Sequence, residues 1–170
     1  VGNLDAVYDF AKVHSLRVVE DAAHAFGTIY KGKKVGASGD IACFSFDGIK
    51  NITSGEGGCI VTEDSVILDR IKDARLLGVE RDTDKRYSGQ RSWNPDVKRQ
   101  GWRYHMSDLM AAIGKEQLSN FSFHKKRRQE LAKDYLEHLK KISSITLFNH
   151  NYNEVVPHIF VIILDKHIER

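Results

Sequence analysis

Long apolar runs are missing from this sequence. The longest candidates, residues 41–46 and 155–164, are strand-sized and fall short of the roughly 18 residues that a membrane-spanning helix requires. We therefore expect a soluble, cytoplasmic protein without a membrane partner. A methionine start and a charged-then-apolar leader are also missing, because the sequence begins at Val1. This favours a fragment of a longer protein over a natural start or a secreted chain.

Cysteine and net charge are scarce as well. The two cysteines, Cys43 and Cys59, lie in apolar strand-like segments without the spacing of a zinc site or redox motif, so we expect buried structural thiols and no metal site. The net charge is only +3, and the basic cluster at residues 125–128 is followed by carboxylates within residues 130–137. That mixture is typical of a solvated helix face, whereas a nucleic-acid surface needs a broader basic footprint with aromatic side chains.

Hydrophobic periodicity alternates between helix and strand along the first part of the chain, which predicts an α/β fold. The predicted elements are a helix at 4–14, strands at 16–20, 41–46 and 59–62, and a helix at 65–77 capped by Thr62 or Asp64. Ligands in such sheets collect outside the carboxyl ends of the strands, where Asp21 and Ser45 would project.

The pattern changes after residue 77. Residues 78–101 are polar and lack periodicity, which predicts a long functional or mobile loop. The predicted elements after this region are a helix at 108–118 capped by Ser107, a helix at 121–142, and strands at 145–148 and 155–164. We expect these last strands to belong to a different unit, so the predicted domains are residues 1–120 and 121–170.

One lysine stands between a predicted strand and a glycine-rich reversal. Lys50 follows the strand at 41–46 and precedes three glycines within residues 55–58. A lysine held in this way is a candidate Schiff-base nucleophile, because burial beside Phe46 and Ile49 could lower the pKa of its amine. Taken alone, the pattern more often belongs to an ordinary surface lysine.

Four ordered motifs carry a family resemblance. They lie at residues 19–27, 39–46, 50–58 and 101–118. Together they resemble the DegT/DnrJ/StrS family of sugar aminotransferases, which are fold-type I pyridoxal-phosphate enzymes. The resemblance implies the second half of the large cofactor-binding domain, with a mostly parallel sheet and helices, plus the start of a small α/β carboxyl-terminal domain.

The resemblance assigns roles to four side chains. Lys50 would form the internal aldimine with pyridoxal 5'-phosphate and later move the proton between the substrate carbon and the cofactor. Asp21 would pair with the pyridine nitrogen and favour the protonated ring, a better electron sink. Ser45 would hydrogen-bond the cofactor phosphate, and His24 would lie near the ring and its phenolic oxygen. Without the other motifs, Asp21 and Ser45 would be turn residues and His24 a structural histidine.

Other matching positions have weaker assignments. Gly55, Gly57 and Gly58 are expected to permit positive φ and close backbone approach rather than to hold phosphate. Arg103 stands where many family members have an asparagine that reaches the cofactor phosphate of the neighbouring subunit, and His105 stands where they have arginine. A guanidinium can also bind phosphate. The alternatives for Arg103 are contact with a substrate diphosphate and a surface ion pair.

The resemblance also implies the reaction, which is transamination of a nucleotide-linked keto-deoxy sugar, with glutamate as amino donor, in a homodimer with shared active sites. One alternative is a sugar dehydratase of the same family. Certain dehydratases replace the lysine with histidine, so Lys50 favours transamination. Another is a non-catalytic regulatory protein that binds the cofactor, which Lys50 and Asp21 argue against.

Family members have an amino-terminal half with a phosphate loop and a ring-stacking aromatic residue, so we expect this chain alone to hold the cofactor poorly.

Overall fold

The computed structural model describes residues 1–79, 97 and 99–166. The helices in these ranges are α1 (Leu4–Val13), α2 (Ser65–Ala74), α3 (Asp108–Ser119) and α4 (Phe121–Leu139). The strands are β1 (Val19–Asp21), β2 (Ile29–Tyr30), β3 (Lys33–Lys34), β4 (Ile41–Ser45), β5 (Gly58–Thr62), β6 (Ile145–Leu147) and β7 (Ile162–Leu164). Most of the predicted loop at 78–101 lies outside the described residues. Within the described part of the chain, no helix is long and apolar enough to cross a bilayer.

The chain divides into two compact units. The first combines Val1–Val61 with Leu109–Arg170, and the second is Thr62–Asp108. The predicted boundary between residues 120 and 121 concerns the domains of a longer protein and stays a prediction.

A three-stranded sheet in the order β1-β4-β5 organises the first unit. Strands β1 and β4 are parallel, with Val19 opposite Ile41 and Asp21 opposite Cys43. Their carboxyl ends therefore lie at the same edge of the sheet. Two smaller antiparallel pairs, β2 with β3 and β6 with β7, complete the strands of the described ranges. The predicted α/β class is confirmed.

Two helices start at side-chain caps. Asn3 Oδ1 accepts a hydrogen bond from Ala6 N at 3.2 Å and so begins α1. Asp64 Oδ1 accepts from Val66 N at 2.9 Å and from Ile67 N at 3.1 Å, so Asp64 rather than Thr62 caps α2. Each cap satisfies amide groups that the first turn of a helix leaves without a carbonyl partner.

The core of the first unit packs around aromatic rings. Phe44 of β4 is buried, and the ring of Phe26 meets it edge-on with centroids 5.6 Å apart. Phe121, at the start of α4, also meets Phe26 edge-on, at 5.0 Å. Gly27 has φ of +80°, and a Cβ there would lie 2.4 Å from the Phe121 ring. Glycine at this position therefore lets the Phe121 ring of α4 pack against the segment that follows β1.

Several of the predicted elements differ from the observed ones, among them the strand predicted at 16–20, which lies at Val19–Asp21. The predicted strand at 155–164 is a strand only from Ile162 to Leu164, because the backbone N–H of Val156 donates to Thr28 Oγ1 at 3.0 Å instead of to a neighbouring strand. Helix α2 ends at Ala74, before Leu77 and Gly78 adopt positive φ. The β2–β3 hairpin was not predicted. The predicted helix at 121–142 is present and ends slightly earlier, at residue 139.

Candidate active site

Two predicted site residues lie at the carboxyl ends of neighbouring parallel strands. Asp21 ends β1 and Ser45 ends β4. Asp21 Oδ1 accepts a hydrogen bond from Ala23 N at 3.1 Å, and Ser45 Oγ accepts from Asp47 N at 3.3 Å. These are turn contacts of the kind expected for ordinary residues after a strand. They hold both side chains at the edge where ligands bind in such sheets.

Lys50 lies in the turn that follows β4. Its backbone N–H donates to Asp47 O at 3.0 Å, and its amine Nζ lies 2.9 Å from His24 Nε2. The structure therefore brings together two of the predicted site residues that are 26 positions apart. Lys50 is half-buried, but the Ile49 side chain is 71% exposed, so the expected apolar wall at Ile49 is absent.

Asn51, next to Lys50, ties this turn to two other segments. The Asn51 residue is only 4% exposed. Its Nδ2 donates to the carbonyls of Val156 at 3.0 Å, His24 at 3.3 Å and Phe26 at 3.4 Å. The amide thereby fixes the backbone of Lys50 relative to that of His24. The sequence does not indicate this role, because its only signal is the position of Asn51 next to the lysine.

His158 is a second histidine at the site that the sequence did not indicate. Its ring lies against the ring of His24, with centroids 4.1 Å apart and planes inclined by 32°. Burial lowers the pKa of His158, and the charges of His24, Lys50 and Arg128 lower it further, while Asp47 acts in the opposite direction. These causes favour a neutral imidazole at position 158.

Arg128 of α4 reaches from the helix to the Lys50 turn. Its guanidinium donates to the carbonyls of Pro157 and His158 and to the carbonyl of Lys50, each at 3.4 Å. The Arg128 side chain therefore joins α4, the Lys50 turn and the segment containing Pro157 and His158.

This contact corrects the prediction that the basic cluster at 125–128 forms a solvated helix face. Lys126 and Arg127 do lie at the surface, with side chains 80% and 58% exposed, and each is 3.8 Å from Glu130. Arg128 is half-buried and directed inward. The prediction holds for these two neighbours and is wrong for Arg128.

The glycine-rich loop supports the turn through its backbone. Gly55 and Gly57 have φ of +85° and +138°, as expected. A Cβ at Gly58 would lie 2.5 Å from Phe44 O, so this glycine permits close backbone approach. The N–H of Gly55 donates to Thr53 Oγ1 at 2.9 Å. This loop amide is therefore already used within the loop.

The remaining candidates lie away from this cluster or contribute no reactive group. Cys43 and Cys59 are free, half-buried thiols, and burial raises the pKa of each. A raised pKa keeps a thiol protonated and unreactive at neutral pH. Arg103 and His105 are exposed residues of the second unit, where Arg103 forms a β-bridge with Leu76. The cofactor role considered for Arg103 stays a prediction.

A cavity of about 500 Å³ opens at the sheet edge. Its lining includes Asp21, His24 and His158, together with apolar side chains such as those of Val35 and Val161. Lys50 does not line it, although its amine contacts His24. The cavity therefore presents a carboxylate and two imidazoles to a small polar ligand, with the Lys50 amine behind His24.

Comparison with known proteins shows relatives that are longer than this chain. This chain is 44% identical over 142 residues to the uncharacterized protein MJ1066 of Methanocaldococcus jannaschii, and the match covers 84% of this chain and 37% of that protein. It is 38% identical to the spore coat polysaccharide biosynthesis protein SpsC of Bacillus subtilis, covering 96% and 42%. The chain therefore spans about two-fifths of the length of these relatives.

A solved structure and a family model extend this result. PseC of Helicobacter pylori, an aminotransferase involved in pseudoaminic acid biosynthesis, superposes with a TM-score of 0.84 at 28% identity. The match covers 98% of this chain and 43% of PseC, and it confirms the predicted fold-type I architecture. The model of the DegT/DnrJ/EryC1/StrS aminotransferase family matches residues 1–170. The chain belongs to the DegT/DnrJ/EryC1/StrS aminotransferase family.

Proposed function

We propose that the protein containing this chain transfers an amino group to a nucleotide-linked keto-deoxy sugar. The cofactor of the family is pyridoxal 5'-phosphate. The observation that carries the proposal is the 2.9 Å contact between the Lys50 amine and His24 Nε2, beside the strand end that holds Asp21. The description of PseC as an aminotransferase and the role of SpsC in polysaccharide biosynthesis support a sugar substrate.

The chemistry of the side chains fits this cofactor. An ionised carboxylate has about four acceptor positions, and the turn contact of Asp21 with Ala23 N uses one of them. Ser45 Oγ accepts from Asp47 N, so its own O–H is still available to donate. The half-buried Lys50 supplies an amine. The site therefore offers an amine for an aldehyde, a carboxylate for a ring nitrogen and a hydroxyl for a phosphate.

Each side chain would then perform one task. Lys50 would hold the cofactor at its aldehyde group, and its Nζ would hold or move a proton, with His24 Nε2 orienting the amine. Asp21 would accept the N–H of the pyridine ring and keep that ring protonated. Ser45 Oγ would donate to the phosphate. When bound, the cofactor supplies an electron sink for the electron pair left by breaking a C–H bond.

The amino donor, the assembly and the cellular location are also part of the proposal. Glutamate is the proposed amino donor, and a homodimer with shared active sites is the proposed assembly, with Arg103 as a candidate contact to a phosphate. The free thiols of Cys43 and Cys59 are consistent with the reducing cytoplasm, which is the proposed location.

The test is a half-reaction in the full-length protein. Glutamate is added to the purified holoenzyme, and conversion of the cofactor to its pyridoxamine form is followed by absorbance. We expect conversion in the wild type and a loss of at least about a hundredfold in Lys50→Ala. Lys33→Ala, which changes an exposed lysine in β3, is the control and should react like the wild type.

Three results would contradict the proposal. Failure to transaminate any amino acid would exclude it. Loss of water from the sugar without amine transfer would indicate the dehydratase. Cofactor binding with no turnover, together with unchanged cellular sugar amination in Lys50→Ala, would indicate the regulatory protein.

A further inference from the structure

The Arg128 guanidinium stands between two segments that are far apart in the sequence. One segment carries Lys50, and the other is the irregular stretch containing Pro157 and His158. A guanidinium presents five N–H donors in a rigid plane, so it can serve carbonyl oxygens of both segments at once. A lysine ammonium is a compact charge on a flexible stem and does not fix two segments in the same way.

The contacts form a closed path that includes the Lys50 amine. Arg128 contacts the backbone of Lys50 on one side and the backbone of His158 on the other. The ring of His158 lies 4.1 Å from the ring of His24, and His24 Nε2 lies 2.9 Å from Lys50 Nζ. Movement of the segment containing His158 would therefore change the position of the imidazole that faces the amine.

We propose that Arg128 is a positioning residue for the pair formed by Lys50 and His24. It joins the Lys50 turn to the His158 backbone, so that the His158 ring packs on His24 and directs His24 Nε2 at the amine. The consequence for catalysis rests on the proposed function. The neighbouring Arg127 offers a matched comparison, because it is a surface residue of the same helix, 3.8 Å from Glu130.

The first measurement is steady-state kinetics of the full-length holoenzyme. Arg128→Lys keeps the positive charge but removes the planar fork, and Arg127→Lys is the control. We expect kcat of Arg128→Lys to fall about tenfold with little change in KM, because a misplaced amine affects the chemical step more than substrate binding. Arg127→Lys should match the wild type.

The second measurement uses the cofactor-free protein and does not depend on activity. Nuclear magnetic resonance follows the titration of His158 and the contact between the rings of His158 and His24. In Arg128→Lys the ring contact should weaken, and the pKa of His158 should rise toward its ordinary value of about 6.5 as burial is lost. The other charged or titratable groups acting on His158 are His24, Lys50 and Asp47, and none of them is altered.

The outcomes separate this proposal from the proposed function. An unchanged ring contact and titration in Arg128→Lys would overturn it, as would an equal loss of kcat in Arg127→Lys. A changed ring contact with unchanged kcat would show that Arg128 is only structural, which also overturns it. If the wild type does not transaminate at all, the proposed function fails, while the resonance measurement still tests the path from Arg128 to His24. A melting curve of Arg128→Lys confirms that the variant is folded.

Discussion

Asn51→Asp would replace one nitrogen by oxygen at a buried position with almost no change in volume. Asn51 Nδ2 donates to three carbonyl oxygens, those of Val156, His24 and Phe26. Aspartate has only oxygens at the same positions. The variant would therefore lose all three hydrogen bonds and place a negative charge against three carbonyl dipoles.

The expected destabilisation is large at neutral pH. A buried carbonyl left without a donor costs about 1–3 kcal/mol, which applies fully to Val156 O and less to the half-buried contacts with His24 O and Phe26 O, and an uncompensated buried charge costs about 3–5 kcal/mol. These costs overlap, because the carboxyl can stay protonated or the loop can open. We expect the free energy of unfolding to fall by about 3–5 kcal/mol at pH 7.

The destabilisation should depend on pH in a defined direction. Burial and the facing carbonyl oxygens raise the pKa of the introduced carboxyl above the ordinary value of about 3.9. Below the ordinary pKa of about 3.9, the carboxyl is protonated in both the folded and the unfolded state, and in the folded state it can donate to one carbonyl. The destabilisation should therefore be smallest near pH 4 or below and should grow as the pH rises toward 7.

Urea unfolding of the full-length protein, followed by circular dichroism at pH 4 and pH 7, measures this effect. Asn3→Asp is the matched control, because Asn3 is an exposed helix cap and aspartate caps helices equally well. The reasoning would be refuted if Asn51→Asp lowered the pH 7 midpoint no more than Asn3→Asp, or if its shift were the same at both pH values.

Two stability predictions concern other contacts. Gly58→Ala should destabilise the protein by about 1–3 kcal/mol, because the new Cβ would lie 2.5 Å from Phe44 O, whereas Gly2→Ala has open space; equal thermal midpoints for the two variants would contradict this. The ion pair with Arg17 holds the pKa of Asp40 below its ordinary value. The pair therefore stabilises at neutral pH and is lost as the pH falls through the lowered pKa. Arg17→Met should melt below the wild type at pH 7, with a difference that shrinks below about pH 4; a constant difference would argue against the pair.

Much of the fold could be predicted from local pattern. The strand at 41–46 and the helix at 4–14 have regular periodicity, and both are present within one residue of the predicted bounds. The β2–β3 hairpin could not be predicted in the same way. Its two turn residues, Lys31 and Gly32, have φ of +47° and +79°. Lysine rarely adopts positive φ, so this pair lacks the asparagine-glycine signal of such turns.

The residues of the site also differ in whether a local pattern could indicate them. Asp21, Ser45 and Lys50 could be proposed because they occupy short motifs within 30 residues of one another. Arg128 and His158 could not, because Arg128 contacts Lys50 from 78 positions away and the contact between His158 and His24 spans a still longer distance, which no local pattern records. The apolar run around residue 156 predicts a strand, because a buried irregular segment and a strand have the same composition.

The contacts of Asn51 and Arg128 also set the order in which the site can form during synthesis. Val156, which receives the hydrogen bond from Asn51, emerges from the ribosome 105 residues later. At about 5–20 residues per second, the turn carrying Lys50 waits roughly 5–20 seconds for that partner. The lysine is therefore translated well before the residues that complete its surroundings. The contacts around the lysine can be completed only after Val156 has been translated.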